Sequence, residues 1–158
     1  MDKAEFLKLI NDHQAIVWKV CRLYGNSAED HEDLFQEIAF QLWKSRFSFK
    51  GDARFTTWMY RIALNTAITS LRRKRPEVSY PGNVPDLSGD IPDEDIADKR
   101  EKLFSAIRLL DDMEKAVITF YLEELTYAEI AEAMGISENL VGVKLNRIKD
   151  KIRKLIGN

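Results

Sequence analysis

Between residues 47 and 75, five aromatic side chains (Phe47, Phe49, Phe55, Trp58 and Tyr60) are interleaved with Lys50, Arg54, Arg61 and the terminal run Arg72-Arg73-Lys74-Arg75. Rings beside cations do noncovalent chemistry: a ring face stacks any unpaired base for roughly 1 to 3 kcal/mol, and the cations hold the phosphates between bases. A second cluster lies in TYAEIAEAMGISENLVGVKLNRI, residues 126 to 148. Ala131, Gly135 and Val141 stand there at helix-turn-helix spacing: a small residue lets two helices approach, a glycine takes the positive backbone angle, and an apolar residue anchors the second helix. A purely structural hairpin shares those three positions. What points to DNA is the outward face, where Glu138, Asn139, Lys144, Asn146, Arg147 and Lys149 are expected; Asn and Arg suit base edges and Lys suits phosphates.

Covalent chemistry has no comparable foothold. Cys21 is the only cysteine, so no internal disulfide forms, and its helical spacing with Val17, Val20 and Tyr24 marks a buried small hydrophobe. His13 and His31 are eighteen positions apart with no Cys or His at ligand spacing, so no metal is expected. Without a Gly-rich phosphate loop, a nucleophile elbow or clearly paired acids, the chain is expected to be neither an enzyme nor a cofactor carrier.

The elements that must position these residues read as helices throughout. Phe6, Ile10, Val17, Val20 and Tyr24 define one helix over about 3–24, ended by Gly25-Asn26. Ser27, with Asp30 three residues on, opens a second, carrying Leu34, Ile38 and Leu42 to about Arg46. After a break at Gly51-Asp52, a third carries Phe55, Trp58, Met59, Ile62 and Leu71 into the RRKR run. Further on, Leu103, Ile107 and Leu110 mark a helix, and Asp111 or Asp112 caps the next. Thr126 caps a short one that Gly135 ends, and Ser137 caps a last one with Val141, Leu145, Ile148, Ile152 and Leu155 inward. Strand-type alternation is absent, so the fold class is all-α.

Charge divides the chain. Residues 1–75 carry 13 Lys and Arg against 9 Asp and Glu; residues 76–98 carry none against 7; residues 99–158 carry 11 against 10. The acidic middle also holds all four prolines, so no regular helix or central strand runs through it, and it reads as a linker. Two small helical domains, 1–75 and 99–158, are therefore expected on either side of it. A formal net charge of −2 is no obstacle to binding a polyanion, because local potential decides and falls off within about 10 Å in ordinary salt. Residues 140–158 alone hold six cations against Asp150.

Taken in order, DLFQEIAFQLW at 33–43, FTTWMYRIALNTAITSLRR at 55–73 and the terminal hairpin resemble the extracytoplasmic-function class of bacterial sigma factors, the promoter-recognition subunits of RNA polymerase (sigma-70 family). The resemblance implies that residues 1–75 form region 2, which docks on core polymerase and recognises and melts the −10 element. Residues 99–158 would form region 4, whose helix-turn-helix reads the −35 element. It implies polymerase docking by Asp33, Leu34, Gln36, Glu37 and Phe40. It places an extruded base in the loop Phe49, Lys50, Gly51, Asp52, Ala53 and Arg54, with Trp58, Arg61 and Asn65 facing the strand and Arg72 and Arg73 on phosphates. Upstream recognition falls to Ser137, Glu138, Asn139, Gly142, Val143, Lys144, Asn146, Arg147 and Lys149. Two departures stand out: Val141, Gly142, Val143 and Lys144 occupy a position where many members have V-K-S-R, and Thr69 replaces a frequent acid or amide.

The partners so implied are core RNA polymerase, promoter DNA and an anti-sigma factor. A 23-residue linker spans roughly 25 Å as a coil and about 75 Å extended, against a DNA turn of about 34 Å. Its acidity would be repelled by promoter DNA and drawn to basic polymerase channels. No apolar run approaches the roughly 20 residues a bilayer requires, and MDKAEFLKLIND has no secretory h-region, so no membrane insertion and a cytoplasmic location are expected. The alternative is a helix-turn-helix regulator that binds duplex operator DNA independently of polymerase.

Overall fold

The structure, a computed structural model, describes residues 2–51, 54–74 and 96–157, without the side chains of Arg72 and Lys74. Helices and one short 3-10 turn are the only regular elements among the described residues, in keeping with the all-α expectation, and they fall into two compact units.

The first unit holds α1 (Lys3–Asp12), α2 (Gln14–Tyr24), α3 (Ala28–Lys44) and α4 (Phe55–Lys74). Where one helix was expected over 3–24 there are two. At His13 the backbone leaves the helical region (φ −113°, ψ 19°), and its ring Nδ1–H donates to the Leu9 carbonyl at 2.9 Å, closing α1. The break lets Phe6 drop onto Trp43, Phe55 and Trp58 with ring centroids 6.0 to 6.4 Å away, while Ile10 stays half-exposed. Helices α2, α3 and α4 pack on one another through Val17, Val20 and Leu23, Ile38 and Leu42, and Met59 and Leu64. Each such aliphatic burial stabilises by about 1.5 to 3 kcal/mol. Cys21 is fully buried among them.

Glycine is required at position 25 because a Cβ there would lie 2.6 Å from Cδ2 of His31, whose Nε2–H donates to the Gly25 carbonyl at 3.1 Å. Ser27 caps α3 by accepting from the Asp30 N–H at 3.1 Å. Asp30, a methylene shorter than the Glu of a full capping box, returns its carboxylate to the Asn26 N–H, one residue before the cap. Helix α3 stops at Lys44 and gives way to the 3-10 turn Arg46–Ser48.

The second unit holds α5 (Ile96–Arg108), α6 (Asp112–Leu122), α7 (Tyr127–Met134) and α8 (Glu138–Ile156). Helix α5 begins three residues inside the stretch read as linker; the rest of that stretch, 76–95, lies outside the described residues. Leu110, expected within this helix, is buried in the turn that follows it. Helices α5, α6 and α7 all pack on α8. Its Val141, Leu145 and Ile148 are fully buried, so truncating Leu145 to Ala costs about 2 to 5 kcal/mol; Leu155, expected in the same stripe, is half-exposed. Asp111 and Thr126 each form a complete capping box, with Glu114 and Glu129 respectively.

Candidate nucleic-acid interface

In the first unit the aromatic residues form a stack that supports the loop. Phe49, half-buried, sets its ring edge-on to Phe55 at 5.4 Å and tilted on Trp58 at 5.5 Å. Trp58, expected to face an exposed strand, is only 8% exposed, and its Nε1–H donates to Ser48 Oγ at 3.3 Å. That expectation is corrected: the indole is the floor beneath Phe49 and ties down the turn that launches the loop. Lys50, Gly51 and Arg54 are exposed, and Gly51 takes φ +81°. Asp52 and Ala53 lie outside the described residues, as does the side chain of Arg72. On α4, Arg61, Asn65, Thr69 and Arg73 follow one another at four-residue spacing and share one helix face; the last three are exposed and Arg61 is half-exposed.

On α3, Asp33, Gln36 and Phe40 are exposed, Phe40 at 57%, and Glu37 is half-buried with the Gln41 amide donating to it at 3.4 Å. Leu34, grouped with them, is buried at 6%, because its turn of the helix faces the core. It supports the face and is not part of the surface.

The turn between α7 and α8 has the expected chemistry. Gly135 takes φ +70°, a left-handed angle that costs other residues about 1 to 2 kcal/mol, and Ser137 Oγ accepts from the Leu140 N–H at 3.1 Å. The Ser137 hydroxyl therefore serves the helix start. Glu138, Asn139, Asn146 and Arg147 are exposed, Val143 is 44% exposed, and Gly142 and Lys144 are half-buried. Lys149 is drawn back toward α6: its ammonium lies 4.5 Å from the Tyr121 ring centroid and donates to the Tyr121 hydroxyl at 3.3 Å. A partner 28 residues away leaves no local trace.

Several surface groups lie outside the residues expected to form the site, although Phe47 belongs to the aromatic run. Leu140, 39% exposed one turn before Val143, belongs neither to the inward stripe nor to the polar residues that mark a groove-facing surface, so its residue type gives no signal. Phe47, 77% exposed, lies under the Arg46 guanidinium at 4.3 Å, and the same guanidinium sits 3.8 Å from the Trp43 ring. These three residues, with Asp2, Lys3 and Phe6, line a cleft of about 460 Å³. Their signal was the continuation of the aromatic and cationic run upstream of Phe49. Trp18 and Phe35 stack across α2 and α3 at 4.1 Å.

A bundle carrying a propped aromatic and cationic loop, followed by a separate unit ending in a helix-turn-helix, defines a class of protein built to engage DNA through two modules. Comparison with known proteins narrows that class. The chain matches the family described as Sigma-70 region 2 over residues 9–77 and the one described as Sigma-70, region 4 over residues 100–152. It is 30% identical over 169 residues to the ECF RNA polymerase sigma-E factor of Haemophilus influenzae, covering 98% of this chain and 89% of that one. It is 26% identical over 168 residues to the ECF RNA polymerase sigma factor SigW of Bacillus subtilis, covering 97% and 89%. The fold is shared with the sigma factor RpoE solved in complex with the anti-sigma factor NepR from Bartonella quintana, at a TM-score of 0.70, 14% identity and 96% of each chain. The chain belongs to the extracytoplasmic-function sigma factors of bacterial RNA polymerase. It is a promoter-directing initiation factor, and sigma factors are not enzymes. Among the described residues, no helix is long and apolar enough to cross a membrane.

Proposed function

We propose that the first unit docks on core polymerase through the exposed face of α3 and opens the −10 element with the Phe49–Arg54 loop and the Arg61–Asn65–Arg73 face of α4, while α8 reads the −35 element. The observation that carries this reading is the loop itself. Exposed cations at Lys50 and Arg54 follow, along the chain, a ring fixed by two further aromatics, so a base leaving the duplex would meet a ring already held in place. Extrusion costs a few kcal/mol, which stacking and phosphate contacts must offset. On this reading catalysis belongs to the polymerase, the factor works in the cytoplasm, and an anti-sigma factor holds it between uses, as NepR accompanies RpoE in its complex.

Docking is tested by co-purification. Gln36 and Phe40 are exposed on α3 with Glu37 between them, so Gln36→Ala combined with Glu37→Lys should abolish retention on core polymerase with the helical circular dichroism unchanged. Retention equal to wild type would reject this face. A free-standing regulator would instead bind the upstream duplex equally well without core enzyme.

A further inference from the structure

We propose that the exposed pair Leu140 and Val143 reads thymine through its 5-methyl group in the upstream duplex, an inference that rests on α8 being the groove helix. The core does not require these side chains. Val141, Leu145 and Ile148 already fill the inner stripe at 0% exposure, whereas Leu140 on the flank and Val143 on the far side, one turn apart, remain 39% and 44% exposed. Both lie in the first two turns of α8, the end of a recognition helix that reaches base edges.

Neither side chain has a donor or an acceptor, so neither reads the polar atoms that distinguish guanine, adenine or cytosine. The apolar feature of the major-groove edge is the thymine methyl. The surroundings select nucleic acid over a protein surface. Asn139, Asn146 and Arg147 are exposed within the same third of the helix circumference, and Asp150, one turn further on, is paired with Arg153 at 2.9 Å. Two amides and a guanidinium framing an apolar pair match an anionic duplex with methyl groups in its groove. Gly142 completes the arrangement: a Cβ there would stand 3.5 Å from the Tyr127 ring, so the ring lies along α8 with no side chain interposed.

The test uses holoenzyme assembled from the full chain and core polymerase, with an upstream duplex selected from a randomised library. Uracil then replaces each selected thymine in turn, removing one methyl and nothing else. We expect affinity to fall about fourfold per contacted methyl at one or two positions. Leu140→Ala with Val143→Ala should erase that discrimination, and Val143→Thr, which keeps a methyl group at the same place, should largely preserve it. Wild-type holoenzyme that protects the upstream duplex yet is indifferent to uracil throughout, or a library with no enriched thymine, would overturn the proposal. So would a double variant that loses a protein partner while DNA discrimination stays intact. If the upstream duplex is not protected at all and Arg147→Ala has no effect, the groove-helix reading itself fails, a result distinct from indifference to uracil.

Discussion

Glu114 joins three parts of the second unit. Its carboxylate accepts from the Asp111 N–H at 3.1 Å and from the Lys151 ammonium at 2.6 Å, linking the start of α6 to the fourth turn of α8. Burial pushes its carboxyl upward, but the Lys151 and Asp111 contacts outweigh burial and hold it below the ordinary glutamate value. Its stabilising contribution is thus complete above the unfolded value, near about 4.3, and is lost as pH falls through the folded one. Asp111 works in the opposite sense: burial, with repulsion from Glu114, raises its carboxyl against the bond it accepts from the Glu114 N–H. Its charged form therefore costs stability at neutral pH, and acid relieves that cost. Glu114→Gln should lower stability by about 1 to 3 kcal/mol at pH 7, and the gap from wild type should narrow below about pH 4. Thermal melts across pH check this, and a gap independent of pH would contradict it. Cys21 illustrates a residue readable from sequence: burial raises its thiol to about 12, as expected of an inert core cysteine. Trp58 illustrates the opposite, since alternating rings and cations look the same whether a ring face is open or packed; only Ser48 and Phe49, brought in by the fold, decide it.

At the scale of elements, the helix starts were legible because cap chemistry is local. Ser27, Asp111, Thr126 and Ser137 each accept from an N–H three residues on. The end of α1 was not, because His13 breaks the helix by a side-chain bond with neither Gly nor Pro to mark it, and the apolar stripe runs on across the break. On the proposed reading, the loop between the 3-10 turn and α4 carries the sharpest functional demand. It starts from a ring fixed on Phe55 and Trp58, so its cations act from a fixed base and should matter most once a strand is exposed. Lys50→Glu with Arg54→Glu should therefore leave initial promoter binding by holoenzyme largely intact and reduce opening by an order of magnitude or more, each reversed charge adding phosphate repulsion. Permanganate reactivity of the melted thymines measures this, and reactivity equal to wild type would refute it.

For the whole molecule, charge does what net charge conceals. Cations gather in residues 1–75 and 140–158, while seven acids and all four prolines occupy 76–98. The segregation was visible in the sequence because composition alone reports it, and so was the division into two helical units. Which surface each unit presents was only partly visible, since exposure depends on partners such as Tyr121 for Lys149 and the core for Leu34. The central claim is that two modules, each weak alone, select a start site together once core polymerase holds them. Run-off transcription tests it most directly, with core enzyme, the purified full chain and a template carrying both selected elements. The account predicts a discrete transcript that requires the chain and disappears when either element is scrambled. A transcript of the same start and yield without the chain, or one indifferent to both elements, would contradict it.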